Sequence, residues 1–179
     1  MAEPTYHPAA KALHWITALT VLGLLSVGLW MTGLPLGFTK LHAYNWHKWI
    51  GLVVLVLTVG RLFWRWRHPP PPLPDTIVRW QVTLAPVAHW ALLLLLIVMP
   101  LSGWTMSSAA GVSVLWFGAV PLPDLVPRDP ALFETLKTTH HFLARLLIAV
   151  LILHVAAVVH HDVLRRDGVF RRMWPFGGT

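Results

Sequence analysis

Four histidines lie on stretches of this chain that are otherwise apolar: His14, His47, His140 and His154. Imidazole is a nitrogen ligand for iron and other transition metals. Inside an apolar segment of membrane length a histidine is uncommon enough to mark function. His140 and His154 stand fourteen residues apart. On an α-helix that spacing is close to four turns, so both rings leave one face, separated by about 21 Å along the axis. The distance is enough to put one ring in each half of a bilayer. His14 and His47 sit near the starts of two other apolar stretches. Four imidazoles able to pair at two depths have the pattern of axial ligands to two haems. Iron held by two imidazoles has no open axial position, which suits electron transfer and not oxygen binding. A histidine-lined zinc site fits less well, because zinc wants four ligands close together.

The elements that must carry these rings follow from composition. The chain has 179 residues, 56% of them hydrophobic and 12% charged, the balance of a membrane protein. Apolar runs cover approximately residues 12–31, 47–66, 84–106 and 139–160, each near the roughly 20 residues that cross a bilayer as a helix. Backbone amides in hydrocarbon have to be satisfied within their own segment. The expected fold is therefore all-α, an integral membrane four-helix bundle forming a single domain over residues 1–179. The first run is too long for a signal peptide, and no small-residue cleavage site closes it.

The formal net charge is +7, and its distribution speaks for topology instead of nucleic acid. Nine Lys and Arg fall on the termini and the middle loop, against four on the other two loops. By the positive-inside rule both termini are cytoplasmic. There is no cysteine, which excludes disulfides, thiolate-held iron–sulfur clusters and covalent c-type haem. Any haem is then b-type, held by coordination and packing. All seven acids lie outside or at the edges of the apolar runs, which weakens a cation transporter or proton pump.

Depth assigns the partners. With the N-terminus inside, His14 pairs with His154 at the inner level and His47 with His140 at the outer, and the last helix supplies one ligand to each. Of the doublet His140-His141, only His140 shares the face of His154. The same fourteen-residue step carries His47 to Arg61, a guanidinium able either to pair with a haem propionate or to snorkel to headgroups. It carries His14 to Gly28, which leaves room for the outer macrocycle or simply for close helix packing. His89 is read as a hydrogen-bond partner of a propionate, and His161 as an interfacial residue beside Asp162 and Arg165. His7, His42 and His68 are read as loop residues. Arg145, five residues into the last segment, has three open roles: propionate partner, lining of a quinone or oxyanion site, or cation snorkelling outward.

Between the spans, Thr32–Trp46 is expected as a short loop. His68-Pro69-Pro70-Pro71-Pro72-Leu73-Pro74 forms a stiff extended linker. The longest loop, Ser107–Thr138, carries a short helix from Pro130 to Leu136, and the basic tail after Asp162 is disordered.

Six segments taken in order carry a resemblance: Ala12-Leu13-His14-Trp15, His47-Lys48-Trp49-Ile50-Gly51, Gly60-Arg61-Leu62, Met99-Pro100-Leu101-Ser102-Gly103, Leu136-Lys137-Thr138-Thr139-His140 and Leu153-His154-Val155-Ala156. Over essentially all four helices the chain resembles the bacterial cytochrome b561 family. Its ending in His160-His161 is more similar to the small four-helix members than to the b-type subunits of membrane hydrogenases. The resemblance implies two non-covalent haems b, each ligated by two of the histidines above, in the bacterial inner membrane, with ubiquinone as electron acceptor. One four-helix member is a superoxide oxidase, so the first expectation is an oxidoreductase taking electrons from periplasmic superoxide to ubiquinone. The alternative is a haem-b anchor that relays electrons for a dehydrogenase or hydrogenase partner protein; the compact loops lean towards the first. Lys40, Lys48 and Lys137 near the outer surface could draw in an anion, offset by Asp124, Asp129 and Glu134. No residue is assigned a catalytic role, no quinone pocket is identified, and association as a homodimer is left open.

Overall fold

The computed structural model describes residues 5–72 and 77–176. Leu73 and Pro74 of the proline-rich linker, the acids Glu3 and Asp75, and Gly177-Gly178-Thr179 lie outside the described residues. Four helices carry the fold: α1 (Pro8–Thr32), α2 (Phe38–Arg67), α3 (Arg79–Ala109) and α4 (Pro130–Val159). Each is long and apolar enough to cross a membrane. They pack in chain order, α1 on α2, α2 on α3 and α3 on α4. The two ends of the described chain meet at one end of the bundle, where the Tyr6 amide donates to the Arg172 carbonyl at 3.2 Å.

Helices α1 and α4 both open on a proline, which has no amide to satisfy in the first turn. Each is capped by the residue before it. His7 Nδ1 accepts from the Ala9 amide at 3.1 Å, and Asp129 Oδ1 accepts from the amides of Ala131 and Leu132 at 2.9 and 3.1 Å.

All four helices overrun the apolar runs, because hydropathy marks the width of hydrocarbon whereas a helix continues into water until its caps allow it to stop. The first loop shrinks to residues 33–37, so His42 lies on α2 and not in a loop. The helix expected at Pro130–Leu136 is no separate element; it is the first two turns of α4. The loop before it contains an unforeseen two-stranded hairpin, Leu115–Trp116 with Val120–Pro121, turned through Gly118 at φ 71°. The hairpin is tied to α2 reciprocally: Trp49 Nε1 donates to Leu115 O at 2.7 Å, and Trp116 Nε1 to Trp49 O at 3.1 Å.

The tail is not disordered as far as Phe176. A π-helical turn, His160–Arg165, widens the end of α4, and Arg166 (φ 51°) and Gly168 (φ 78°) reverse the chain in left-handed conformations. Asp167 fixes the reversal by pairing with His161 Nδ1 at 2.5 Å. The returning segment lies across the start of α1. Trp15 Nε1 donates to Met173 O at 2.9 Å, and the Trp15 ring meets those of Phe170 and Trp174. Arg172, 4% exposed, donates to the Pro72 carbonyl at 2.7 Å.

The inward faces of the helices repeat with a step of seven residues, close to two turns. On α1 the series is His14, Val21, Gly28; on α2, His47, Val54, Arg61; on α3, His89, Leu96, Gly103; on α4, His140, Leu147, His154. The middle members, Val21, Val54, Leu96 and Leu147, belong with Leu95 to the buried core. An aliphatic layer thus separates two polar levels, one near the chain ends and one far from them.

Candidate functional site

The near level is built by His14, Arg61, His89 and His154. The rings of His14 and His154 have centres 6.4 Å apart, inclined at 61°. His89 stands against His154 with centres 5.4 Å apart. Arg61 Nη2 donates to His14 Nδ1 at 3.1 Å. The fourteen-residue step thus brings Arg61 to this level, in contact with the imidazole itself.

The far level is built by Gly28, His47, Gly103 and His140. Each histidine is backed by a glycine of the neighbouring helix: a Cβ on Gly28 would lie 3.1 Å from His47 Cε1, and one on Gly103 3.2 Å from His140 Cε1. Gly28 therefore makes room for an imidazole. His140 Nδ1 is 2.8 Å from Ser102 Oγ. His47 Nδ1 is buried with no hydrogen-bond partner among the described residues.

Both rings line one cavity of about 470 Å³. Its deep wall is apolar, with Val21, Leu25, Val54, Leu96 and Leu147, and towards the far surface it is lined by Lys48, Lys137 and His141. His141 was expected to turn away from the site; α4 is packed so that both members of the doublet line the cavity. Lys40 is occupied elsewhere, its Nζ donating to Leu34 O at 2.7 Å at the end of α1. Lys137 pairs with Glu134 at 3.1 Å, and the Asp124 carboxylate accepts from Ser113 at 2.9 Å. Arg145 is exposed on α4 and lies outside the cavity lining.

The fourteen-residue step that links levels on the other helices also links His89 to Gly103 on α3. Applied to α3 as to the other helices, it would have found Gly103. Ser102 gives no such signal, since a serine beside a glycine in an apolar helix is commonplace.

Among the described residues, no three or more His, Cys, Asp or Glu are gathered to hold a bare metal ion. Imidazoles paired at two levels of a four-helix membrane bundle suit a macrocycle that brings its own equatorial nitrogens, which is the architecture of a membrane b-type cytochrome. The description prokaryotic cytochrome b561 belongs to a family profile matching residues 5–176, and the chain belongs to that family. It is 31% identical to cytochrome b561 homolog 2 of Escherichia coli (strain K12) over 170 residues, 94% of this chain and 90% of that protein. It is 33% identical to the probable superoxide oxidase CybB of Yersinia pestis over 168 residues, 91% of this chain and 92% of that one. The chain is a multi-pass membrane cytochrome of electron transfer, and its family implies haem b.

The residues present fit that group. At the far level, two imidazoles line an apolar cavity of about 470 Å³, within the ordinary range of ligand pockets. Gly28 and Gly103 let the two imidazoles lie back against the neighbouring helices, which leaves open the cavity that both rings line. At the near level the 6.4 Å between ring centres suits two imidazoles sharing one metal, each nitrogen bonding at about 2 Å.

Proposed function

We propose that this chain oxidises superoxide at the outer face of the bacterial inner membrane and reduces ubiquinone. In this reading the chain is one transmembrane domain, residues 1–179, with both termini cytoplasmic, so the far level is the outer one. Two haems b are held non-covalently, the outer by His47 and His140 and the inner by His14 and His154. Arg61 serves the inner one, as the cation nearest to its ligands available for a propionate. The cavity beside His47 and His140, lined towards the surface by Lys48, Lys137 and His141, carries the proposal. The chain's similarity to a probable superoxide oxidase supports the same reading.

Two superoxide anions give up one electron each and leave as O2. The two electrons and two protons convert one ubiquinone to ubiquinol. The haems supply the relay between the levels. The chain's own contribution at the outer level is electrostatic and steric. Lys48 and Lys137 raise the local concentration of a small anion, and the glycines hold both imidazoles inward. The layer of Val21, Val54, Leu96 and Leu147 keeps the space between the levels dry.

The test combines haem content with rapid kinetics on the purified protein. Two haems per chain, reduction of the α-band by superoxide and its reoxidation on adding ubiquinone are expected. One haem per chain overturns the two-site reading. Two haems that superoxide fails to reduce would leave the relay for a dehydrogenase or hydrogenase partner as the function.

A further inference from the structure

The hydrogen bonding behind His140 differs from that at the other proposed ligands. Ser102 Oγ donates to the Met99 carbonyl at 2.8 Å and lies 2.8 Å from His140 Nδ1. A hydroxyl has a single proton. With that proton on Met99 O, the oxygen can only accept from the ring, so Nδ1 carries the imidazole proton and Nε2 is the bare nitrogen. At His14 the neighbour is a guanidinium, which has donors only and so offers that ring no acceptor. At His47, Nδ1 has no partner among the described residues.

Ser102 is buried, at 9% exposure. It precedes Gly103, whose missing side chain makes room for the same ring. One turn of α3 therefore determines both where the His140 ring lies and which nitrogen is free. The chain from imidazole to hydroxyl to carbonyl runs in one direction, and successive bonds of this kind strengthen one another.

We propose that Ser102 is a positioning residue for the outer haem, acting through His140: it selects the tautomer with a free Nε2 and makes the imidazole a stronger electron donor. The inference rests on His140 being an outer ligand. A ligating histidine whose second nitrogen donates to an acceptor is the more basic for it. A more basic ligand favours the ferric state, so Ser102 holds the outer potential lower than the same site would have without the hydroxyl.

The test uses the full-length protein in detergent with S102A, S102T and H140A, read by haem content, redox titration of the α-band and EPR of the ferric haems. In S102A the outer haem should bind about tenfold more weakly, titrate at higher potential and change its largest g value, with the inner haem unmoved. S102T should restore all three. An S102A protein with unchanged outer potential and EPR overturns the proposal, as does a shift shared equally by both haems or a failure of S102T to restore. If S102A binds no outer haem at all, S102T carrying one at the wild-type potential sustains it, and S102T without one overturns it. H140A that retains two haems overturns the ligand assignment itself, a result distinct from any of the Ser102 outcomes.

Discussion

Gly28 and His47 are fitted to each other: a Cβ on the glycine would come within 3.1 Å of the imidazole Cε1. The same fit recurs between Gly103 and His140 at 3.2 Å. Alanine outranks glycine in a helix interior by about 1 kcal/mol, so a helix that keeps glycine at this level forgoes that gain. Overpacking costs about 1–3 kcal/mol, which outweighs it. G28A and G103A should each lower the melting temperature and the outer haem content. G23A, with nothing within 4 Å of the added methyl, should lower neither. Equal behaviour of the three variants, read by thermal unfolding and haem stoichiometry, would remove the glycines from the site.

Arg61 lies 3.1 Å from His14 Nδ1 on the other proposed level. A guanidinium holds a carboxylate by charge-assisted, bidentate hydrogen bonds, and the proposed role of Arg61 is to hold a propionate of the inner haem. R61A should therefore lose haem selectively from the inner site, and R61K, which keeps the charge but not the fork, should lose less. Competition of each variant for haem against a soluble acceptor measures this. An R61A protein that releases its outer haem first contradicts the assignment.

Lys48 and Lys137 both line the cavity beside His47 and His140. If they collect a small anion, the rate of reduction by superoxide should fall with ionic strength, as steering does once the Debye length drops to about 10 Å and below. The double variant K48Q/K137Q should be several-fold slower at low salt and nearly flat across a salt series. Stopped-flow rates that stay as steep as wild type would place the attraction elsewhere.

Trp15 holds the tail through one hydrogen bond and two ring contacts. Trp15→Phe removes the bond and keeps most of the ring, at a cost of about 1 kcal/mol. That corresponds to about a fivefold rise in the open population of the tail. Trypsin acting at Arg165, Arg166 and Arg171 should cut the variant about that much faster, with haem content unchanged. Identical digestion rates would mean that Met173 does not depend on Trp15.

Much of this arrangement is legible in the sequence because a lipid-spanning helix has few ways to be made. Runs of about 20 apolar residues located the spans, and a fourteen-residue step on α4 located two levels on one face. The reach of the helices beyond hydrocarbon was not legible in the same way. Asp129-Pro130 reads as a helix start, but nothing local says that the helix then runs unbroken to Val159. His141 shows the limit of periodicity, which gives a direction around one helix while a cavity accepts neighbours over a wide arc. The course of the tail was illegible for another reason. Its composition is basic and glycine-containing, yet Trp15, Phe170 and Trp174 meet only in three dimensions, and Arg172 finds the Pro72 carbonyl across a hundred residues of chain.

The bond from Trp15 to Met173 spans 158 positions, so its donor leaves the ribosome long before its acceptor. Until synthesis reaches Met173, α1 has lost the entropy of insertion without the clasp that later holds its beginning. This end of the bundle can be fastened only once Met173 has been made. Anything large that enters through it has the time of that synthesis in which to do so, and Phe170, Met173 and Trp174 then shut the way behind it.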